Sequence, residues 1–199
     1  MSKTETLNHC HVMEERGWLF HSEDSISTEE EYLYLLYALI YCLKPFKVLE
    51  TGTCYGIGTA YICRALQKNG FGHVFSLEIE PQLVKKGWAQ LELDGLEEWA
   101  DIICTDSMEY LANTGEQFDF AFFDSLLPLR TKELKICLER KLLKSGTIFA
   151  MHDTSRLRTI TPGSPDPQTP IHWKKFEAIE GIRWIEFPLS RGLTLGQVI

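Results

Sequence analysis

The stretch from Val48 to Thr59 constrains the fold of this 199-residue chain more than any other part of the sequence. An apolar run that ends at Leu49 and Glu50 leads into a turn with glycines at positions 52, 56 and 58, and a helix-forming sequence follows. Glycine permits positive φ and a close approach of a ligand to the backbone, and the first amides of a helix are unpaired donors. The stretch therefore predicts a strand, a turn and a helix that bind a carboxylate, a ribose or a phosphate.

Length and charge narrow the class of protein. A chain of 199 residues is long enough for one domain, and we expect residues 1–30 to form an N-terminal cap segment on a core of residues 31–199. The net charge of -8 argues against nucleic-acid binding, which needs a basic surface. The polar amino terminus lacks the apolar core of a signal peptide, so we expect a cytoplasmic protein with no membrane partner.

Strand and helix patterns alternate along most of the chain. Strand-like runs lie at residues 47–51, 73–80, 100–104, 118–123 and 147–151, with helical patterns over 59–66, 81–94, 107–111 and 129–143 between them. A proline-rich loop at 161–170, a helix at 172–179 and two strands at 182–188 and 193–199 complete the chain. This order predicts an α/β fold with a doubly wound, mostly parallel, seven-stranded sheet and a C-terminal antiparallel strand.

The segment before the first strand reads as a helix that is apolar on every side. Ser27 and Thr28 offer an N-cap, acidic residues follow in the first turn, and residues 32–43 are apolar or aromatic but too few to span a bilayer. We expect burial of several faces, with the stripe of Tyr34, Tyr37 and Tyr41 in the core or in a subunit interface. A homodimer is therefore one hypothesis.

Polar residues follow the predicted parallel strands where each strand ends. Because the carboxyl ends of parallel strands meet at one edge of a sheet, we expect these residues to share one crevice: Glu50, Gly52, Glu78, Asp106, Asp124 and Asp153. Glu78 ends the second strand, the position from which a carboxylate binds ribose hydroxyls. The glycine spacing is G-x-x-x-G-x-G rather than the dinucleotide pattern, and Glu50 suits an ammonium better than a phosphate. An adenosine joined to an amino acid fits both features.

These motifs resemble those of class I S-adenosylmethionine (SAM)-dependent methyltransferases. Residues 49–59 resemble their motif I, residues 77–81 their ribose motif, and the strands that end at Asp124 and Asp153 are similar to those of small catechol-type O-methyltransferases. The resemblance implies a Rossmann-like fold and a SAM site in which Glu50 lies near the ammonium and Glu78 binds the ribose. It also implies contacts with the methionine part and the adenine from Gly52, Thr53, Gly56, Gly58, Thr59, Asp106, Ser107 and Asp124.

The resemblance further implies a Mg²⁺ site, but with two departures from the family pattern. Its ligands would be Asp124, Asp153 and Thr154, where Thr154 stands in place of an asparagine, and Leu127 stands where the catechol enzymes carry a lysine base. Asp124 and Asp153 are alternatively explained by helix capping or by cofactor contacts without a metal. His152 is the candidate base, although side-chain alternation would turn either His152 or Asp153 away from the cleft unless the strand has already ended there.

The sequence thus predicts an enzyme that transfers the methyl group of SAM to a hydroxyl of a small metabolite, with Mg²⁺ as a further predicted cofactor. Transfer to nitrogen or carbon on the same platform is one alternative, because the platform does not encode the acceptor. A non-catalytic SAM-binding protein is another, since the lysine and the asparagine are missing.

Overall fold

The computed structural model describes residues 27–156, 159–161, 164–187 and 191–199. Strands and helices alternate through most of this range, as the sequence predicts. The strands are β1 Lys47–Thr51, β2 His73–Glu78, β3 Ala100–Cys104, β4 Phe118–Phe123, β5 Leu143–His152, β6 Thr159–Thr161, β7 Ser164–Pro165, β8 Ile182–Phe187 and β9 Leu193–Val198. The helices are α1 Glu30–Leu43, α2 Ile57–Asn69, α3 Pro81–Asp94, α4 Ser107–Asn113, α5 Leu127–Glu139 and α6 Gln168–Phe176.

Seven of these strands form one mixed sheet in the order β3-β2-β1-β4-β5-β9-β8. The first five run parallel, while β9 is antiparallel to both β5 and β8. The predicted seven-stranded sheet with its C-terminal antiparallel strand is confirmed. The strand order reverses beside β1, between β2 and β4, and ligands of doubly wound sheets bind at the carboxyl ends of the strands beside such a point.

Apolar side chains cover both faces of this sheet. Val48 packs with α1, α2 and α3 on one face, and its neighbour Leu49 packs with α4, α5 and α6 on the other. Phe120, Phe122 and Phe123 of β4 are fully buried, as a central parallel strand requires. The core therefore holds the carboxyl ends of β1 to β5 side by side.

Three predicted boundaries are wrong. The helix predicted at 129–143 is α5, and it ends at Glu139 because the chain turns at Lys141, which has φ 57°. After this turn Leu143 begins β5 beside Phe118. The strand-like run at 73–80 is two residues too long, because β2 ends at Glu78 and Pro81 begins α3. The proline-rich segment is not all loop, because β6 and β7 pair and α6 begins at Gln168.

The predicted burial of several faces of α1 is also wrong in part. Tyr32, Leu33, Leu36 and Ile40 are buried, whereas Tyr34 is 58% exposed and Tyr41 40% exposed. These two tyrosines do not lie in the core, so the proposed subunit interface stays a prediction. Among the described residues, α1 and the other helices are each too short or too polar to cross a membrane.

Candidate active site

A cavity of about 600 Å³ opens at the carboxyl ends of β1 to β5. All six residues that the sequence places at strand ends line it, and Thr53, Gly58 and Ser107 do so too. Four of the predicted site residues do not line this cavity: Gly56, Thr59, His152 and Thr154. The sheet therefore brings most of the predicted residues together, while their roles toward a ligand stay predictions.

Gly52 shapes the floor of the cavity. Its φ is 87°, and a Cβ at this position would lie 2.7 Å from the carbonyl carbon of Asp124 and closer still to its oxygen. Its amide donates to the carbonyl of Leu77 at 2.9 Å. Only glycine lets the turn after β1 pass this close to the end of β4. Gly56 serves packing instead, since it begins α2 and lies directly against Gly87 of α3.

Glu50 is a buried carboxylate in the wall of the cavity. It is 1% exposed, and its Oε2 accepts hydrogen bonds from Thr59 and, at 2.6 Å, from Ser76. Burial, with a smaller contribution from the charge of Asp124, raises the pKa of Glu50 to about 7, although the hydroxyl donors oppose this shift. A cation brought into the cavity would relieve this cost, so Glu50 is suited to an ammonium group.

Glu78 ties the glycine turn to the end of β2. Its Oε2 accepts from the backbone amide of Cys54 at 2.9 Å, and its Oε1 accepts from the amide of Glu80 at 3.0 Å. Cys54 has φ 50°, so the turn points this amide at the carboxylate from an uncommon backbone conformation. Each carboxylate oxygen retains acceptor capacity, which vicinal ribose hydroxyls can use.

Asp106 and Ser107, which the resemblance assigns to the adenine, line the cavity, and both also have structural partners. Asp106 caps α4 by accepting from the amides of Met108 and Glu109, which is the capping alternative for such a carboxylate. Ser107 donates to Glu133, which also accepts from Thr51 at 3.0 Å.

The opposite end of the cavity carries a charged cluster of three acids and three bases: Glu29, Asp124, Arg130, His152, Asp153 and Arg191. Asp153 has φ 58°, so strand alternation stops at His152 and both side chains enter the cluster. Alternation therefore does not force a choice between the two residues.

His152 is sealed inside this cluster. It is fully buried, with Nε2 at 2.7 Å from Glu29 and Nδ1 at 3.1 Å from Asp124. Burial alone would lower the pKa of His152, but Asp124, Asp153 and Glu29 outweigh it and raise the pKa to about 9. A protonated imidazole has no lone pair for a proton, so the predicted role of His152 as general base does not fit this environment.

Two guanidinium groups bind the aspartates. Arg130 Nη2 lies 3.1 Å from Asp124 Oδ1 and 3.3 Å from Asp153 Oδ2, while Nη1 donates to the carbonyl of His152. Arg191 donates from Nε and Nη2 to Asp153 at 2.7 and 3.1 Å. Burial would raise the pKa of the Asp153 carboxyl, but the charges of His152, Arg130 and Arg191 outweigh it and hold this pKa well below its usual range.

The predicted Mg²⁺ site does not fit this arrangement. The spacing alone is suitable, because ligand atoms of Asp124, His152 and Asp153 all lie within 4.8 Å of one another. Mg²⁺, however, requires oxygen ligands in octahedral geometry, and the aspartates already bind the two arginines. Thr154 Oγ1 accepts from the hydroxyl of Thr194 at 2.8 Å. We therefore assign no step to a metal.

Four residues of the site went unnoticed in the sequence. Arg130 and Arg191 stand in no motif, Thr28 was predicted only as part of an N-cap, and Glu29 was one of the acidic residues expected in the first turn. In the structure Glu29 is the N-terminal boundary residue of α1 with no side-chain capping bond, and Thr28 donates to Asp124 Oδ2 at 2.7 Å. No sequence pattern around Arg130 or Arg191 indicates a role in the site. Two carboxylates expected at one sheet edge do indicate that some cation must compensate their charge.

Comparisons with known proteins agree with this architecture. The most similar solved structures include the SAH-bound methyltransferase PaMTH1 of Podospora anserina, with TM-score 0.76 and 17% identity over 97% of this chain and 87% of that one. The O-methyltransferase TomG of Streptomyces achromogenes, involved in tomaymycin synthesis and solved with SAM, has TM-score 0.71 and 18% identity over 87% and 82%. An O-methyltransferase of Bacillus cereus in complex with SAH has TM-score 0.70 and 20% identity over 100% and 93%.

At these identities the structural matches establish the fold. A search of curated proteins finds no match. A family model described as "Methyltransferase domain" matches residues 49–154, which run from β1 to the end of β5 and make up more than half of the chain. The chain belongs to this methyltransferase domain family.

Proposed function

We propose that this protein transfers the methyl group of SAM to a hydroxyl of a small metabolite. The observation that carries the proposal is the meeting of Glu50, Glu78 and the Gly52 turn in one cavity of about 600 Å³. Two carboxylates in one cavity suit a ligand with an ammonium group and a ribose. The similar structures from Streptomyces achromogenes and Bacillus cereus, both described as O-methyltransferases, support oxygen as the acceptor atom.

The cofactor half of the cavity would hold SAM through residues at the ends of β1, β2 and β3. Glu50 would bind the ammonium, Glu78 would accept from the ribose hydroxyls, and Asp106 with Ser107 would lie at the adenine. Gly52 leaves its backbone open to the methionine part. Bound SAM supplies a methyl group on a positively charged sulfur, which a nucleophilic oxygen can displace.

The acceptor half is the wall formed by Thr28, Asp124, Arg130, Asp153 and Arg191. The side chain of Asp124 is 18% exposed, whereas that of Asp153 is 5% exposed, so Asp124 is the carboxylate that an acceptor hydroxyl reaches. We assign Asp124 the role of proton acceptor and His152 a positioning role, since its ring holds Asp124 Oδ1 at 3.1 Å. No side chain is needed for the transfer itself, which is a direct displacement between two oriented groups.

Calorimetric titration with SAM tests the cofactor site first. We expect saturable binding to the wild type, and a loss of affinity of roughly 10- to 100-fold in Glu78→Ala, because a charge-assisted hydrogen bond contributes about 1.5–3 kcal/mol. Glu92→Gln is the control, since Glu92 is an exposed residue of α3 outside the cavity. No binding of SAM, together with binding of a nicotinamide dinucleotide, would overturn the proposal.

Product analysis then decides the acceptor atom. A library of hydroxylated, amino and carbon-acid compounds is incubated with SAM, and the methylated products are identified by mass spectrometry and NMR. We expect methyl ethers or esters. Products methylated only on nitrogen or carbon, or cofactor binding without turnover on any compound, would contradict transfer to oxygen.

Assembly as a homodimer and a cytoplasmic location also stay predictions.

A further inference from the structure

We infer that Arg130 takes the place of a catalytic divalent cation in this site. Its guanidinium lies between the two aspartates that would ligate such an ion, with Nη2 at 3.1 Å from Asp124 and 3.3 Å from Asp153. The side chain is 4% exposed, yet the residue lines the cavity. The inference rests on the proposed function and assigns the acceptor end of the same cavity.

The surroundings of Arg130 fix it at this place. The carbonyl of His152 accepts from Nη1, so the guanidinium is bound by three different residues at the ends of β4 and β5. Arg130 lies one turn into α5, three residues after Leu127 at the start of the helix. Moving this side chain away would leave the buried carboxylate of Asp153 and the half-buried carboxylate of Asp124 with one positive charge fewer, which is strongly unfavourable.

Arg191 completes the charge balance of the aspartates. Two of its nitrogens bind Asp153 at 2.7 and 3.1 Å, and Nη1 donates to the carbonyl of Ser27 at 2.8 Å. Two guanidinium charges thus face two aspartates, and each carboxylate oxygen of Asp153 accepts from an arginine. A divalent ion would have to displace at least one arginine before it could bind two oxygens.

This exchange of an ion for a guanidinium limits the acceptor chemistry. A metal ion binds an oxygen directly and greatly lowers its pKa, whereas a guanidinium contributes only a charge-assisted hydrogen bond. Such a bond favours the ionised oxygen by roughly 10- to 100-fold, which lowers a hydroxyl pKa by about one to two. A phenol with a pKa of about 10 then becomes a usable nucleophile, while an aliphatic alcohol, as weakly acidic as water at about 15.7, does not.

We therefore assign the site to an acidic hydroxyl, such as that of a phenol, an enol or a carboxylic acid. In the reaction the acceptor O–H proton passes to Asp124, and the oxygen forms its new bond to the methyl carbon. The C–S bond breaks with its electron pair retained by sulfur, which gives SAH and the methylated acceptor. Asp124 then releases its proton to water, and Arg130 keeps its charge throughout.

Manganese titration monitored by electron paramagnetic resonance tests the cation position without an acceptor. Mn²⁺ alone is added to the wild-type protein, with and without SAM, and we expect the signal of free Mn²⁺ to stay unchanged. In Arg130→Met we expect a new stoichiometric Mn²⁺ site, because Asp124 and Asp153 lose one of their cations. Arg64→Met is the matched control, since Arg64 pairs with Asp94 between α2 and α3, outside the cavity.

The inference would be overturned if the wild type bound Mn²⁺ stoichiometrically and this binding were lost in Asp124→Asn. Asp101→Asn, a change on the exposed surface, is the control and would keep the binding in that case. That measurement decides the matter even if Arg130→Met does not fold. SAM binding separates the two proposals, because a protein that binds both SAM and Mn²⁺ in this way refutes only the inference about Arg130.

The acceptors found in the library provide the second test. All assays are repeated with excess EDTA, and we expect turnover to be unchanged and the methylated hydroxyls to be phenolic, enolic or carboxylic. Turnover that EDTA abolishes and Mg²⁺ restores, or an aliphatic alcohol as the preferred acceptor, would contradict the inference. If no compound is methylated although SAM binds, the proposed transfer fails and the Mn²⁺ titration alone decides the inference.

Discussion

Glu29 Oε2 lies 2.7 Å from His152 Nε2, which joins the start of α1 to the end of β5 across 123 residues of sequence. Both side chains are buried, and Glu29 Oε1 also accepts from the amide of Arg191 at 3.1 Å. This contact holds the segment before the first strand against the charged cluster. Ser27 and Thr28, directly before this contact, line the cavity. Most of the predicted cap segment of residues 1–30 lies outside the described residues, and the cap stays a prediction.

The first prediction concerns Glu29→Gln and its effect on pH-dependent stability. The pKa of His152 is raised from 6.5 to about 9, so its contribution is fully present below pH 6.5 and is lost as the pH rises through about 9. Urea denaturation should therefore show wild-type stability falling over this range. Glu29→Gln should lose about 3–5 kcal/mol at low pH, because it breaks a buried ion pair, and should show a shallower slope.

Glu30→Gln is the matched control for this experiment. Glu30 is the next residue of the same helix and accepts from the hydroxyls of Tyr34 and Tyr61, with no bond to His152. We expect it to keep the wild-type slope. Identical slopes for the wild type and Glu29→Gln would show that Glu29 does not hold the proton on His152.

The second prediction concerns the pH dependence of SAM binding through Glu50. Because burial raises the pKa of Glu50 to about 7, the carboxylate that binds an ammonium is lost as the pH falls through about 7. SAM affinity should therefore decrease below this pH. Glu50→Gln should bind SAM roughly 10- to 100-fold more weakly above pH 7 and show little pH dependence, as measured by calorimetry. A wild-type affinity that stays constant from pH 8 to about pH 6 would contradict the assigned contact.

The third prediction concerns Gly52→Ala. The substitution places a Cβ against the backbone of Asp124 at a φ of 87°, so it combines left-handed strain with a steric clash. Gly95→Ala is the control, since Gly95 has φ 65° and nothing within 4 Å of the added carbon. In thermal unfolding, Gly95→Ala should lower the free energy of unfolding by about 1 kcal/mol, which is the cost of the left-handed conformation alone. Gly52→Ala should lower it clearly more and should also bind SAM more weakly. Equal losses for both variants would mean that the contact between the ends of β1 and β4 yields easily.

The parts of this protein that the sequence predicts are those with local causes. The glycine turn, the proline at the start of α3 and the alternation of apolar strands with helices each act within about ten residues, and all reappear in the structure. Strand ends also bring Glu50, Glu78 and Asp124 into one cavity, because a parallel sheet aligns its carboxyl edges.

The charged cluster at one end of the cavity was predicted only in part, because its contacts span distant parts of the chain. Arg130 contacts Asp153 from α5, and Arg191 contacts it from the turn before β9, 38 residues after Asp153 in the sequence. Neither arginine stands in a motif. The resemblance to metal-dependent enzymes placed Mg²⁺ beside Asp124 and Asp153. It could not show which side chain of this chain supplies the positive charge.

The last prediction concerns Glu133, a fully buried carboxylate of α5 behind the cavity. It accepts from the hydroxyls of Thr51, Ser125 and Ser107, two of which belong to residues that line the cavity. Burial raises the pKa of Glu133, while these hydroxyl donors and Arg130 oppose that shift. Glu133 therefore anchors the end of β1, the start of α4 and the loop after β4 through their hydroxyl groups.

Glu133→Leu should leave three hydroxyl groups without their acceptor, so we expect a loss of about 2–5 kcal/mol in urea denaturation and weaker SAM binding. Glu133→Gln keeps a carbonyl acceptor of the same shape and should lose clearly less stability. Glu139→Gln at the exposed end of the same helix is the control and should behave as the wild type. If Glu133→Leu were as stable as the wild type, the buried carboxylate would stabilise the fold no more than an apolar side chain of similar size. The sheet alone would then hold the end of β1, the start of α4 and the loop after β4.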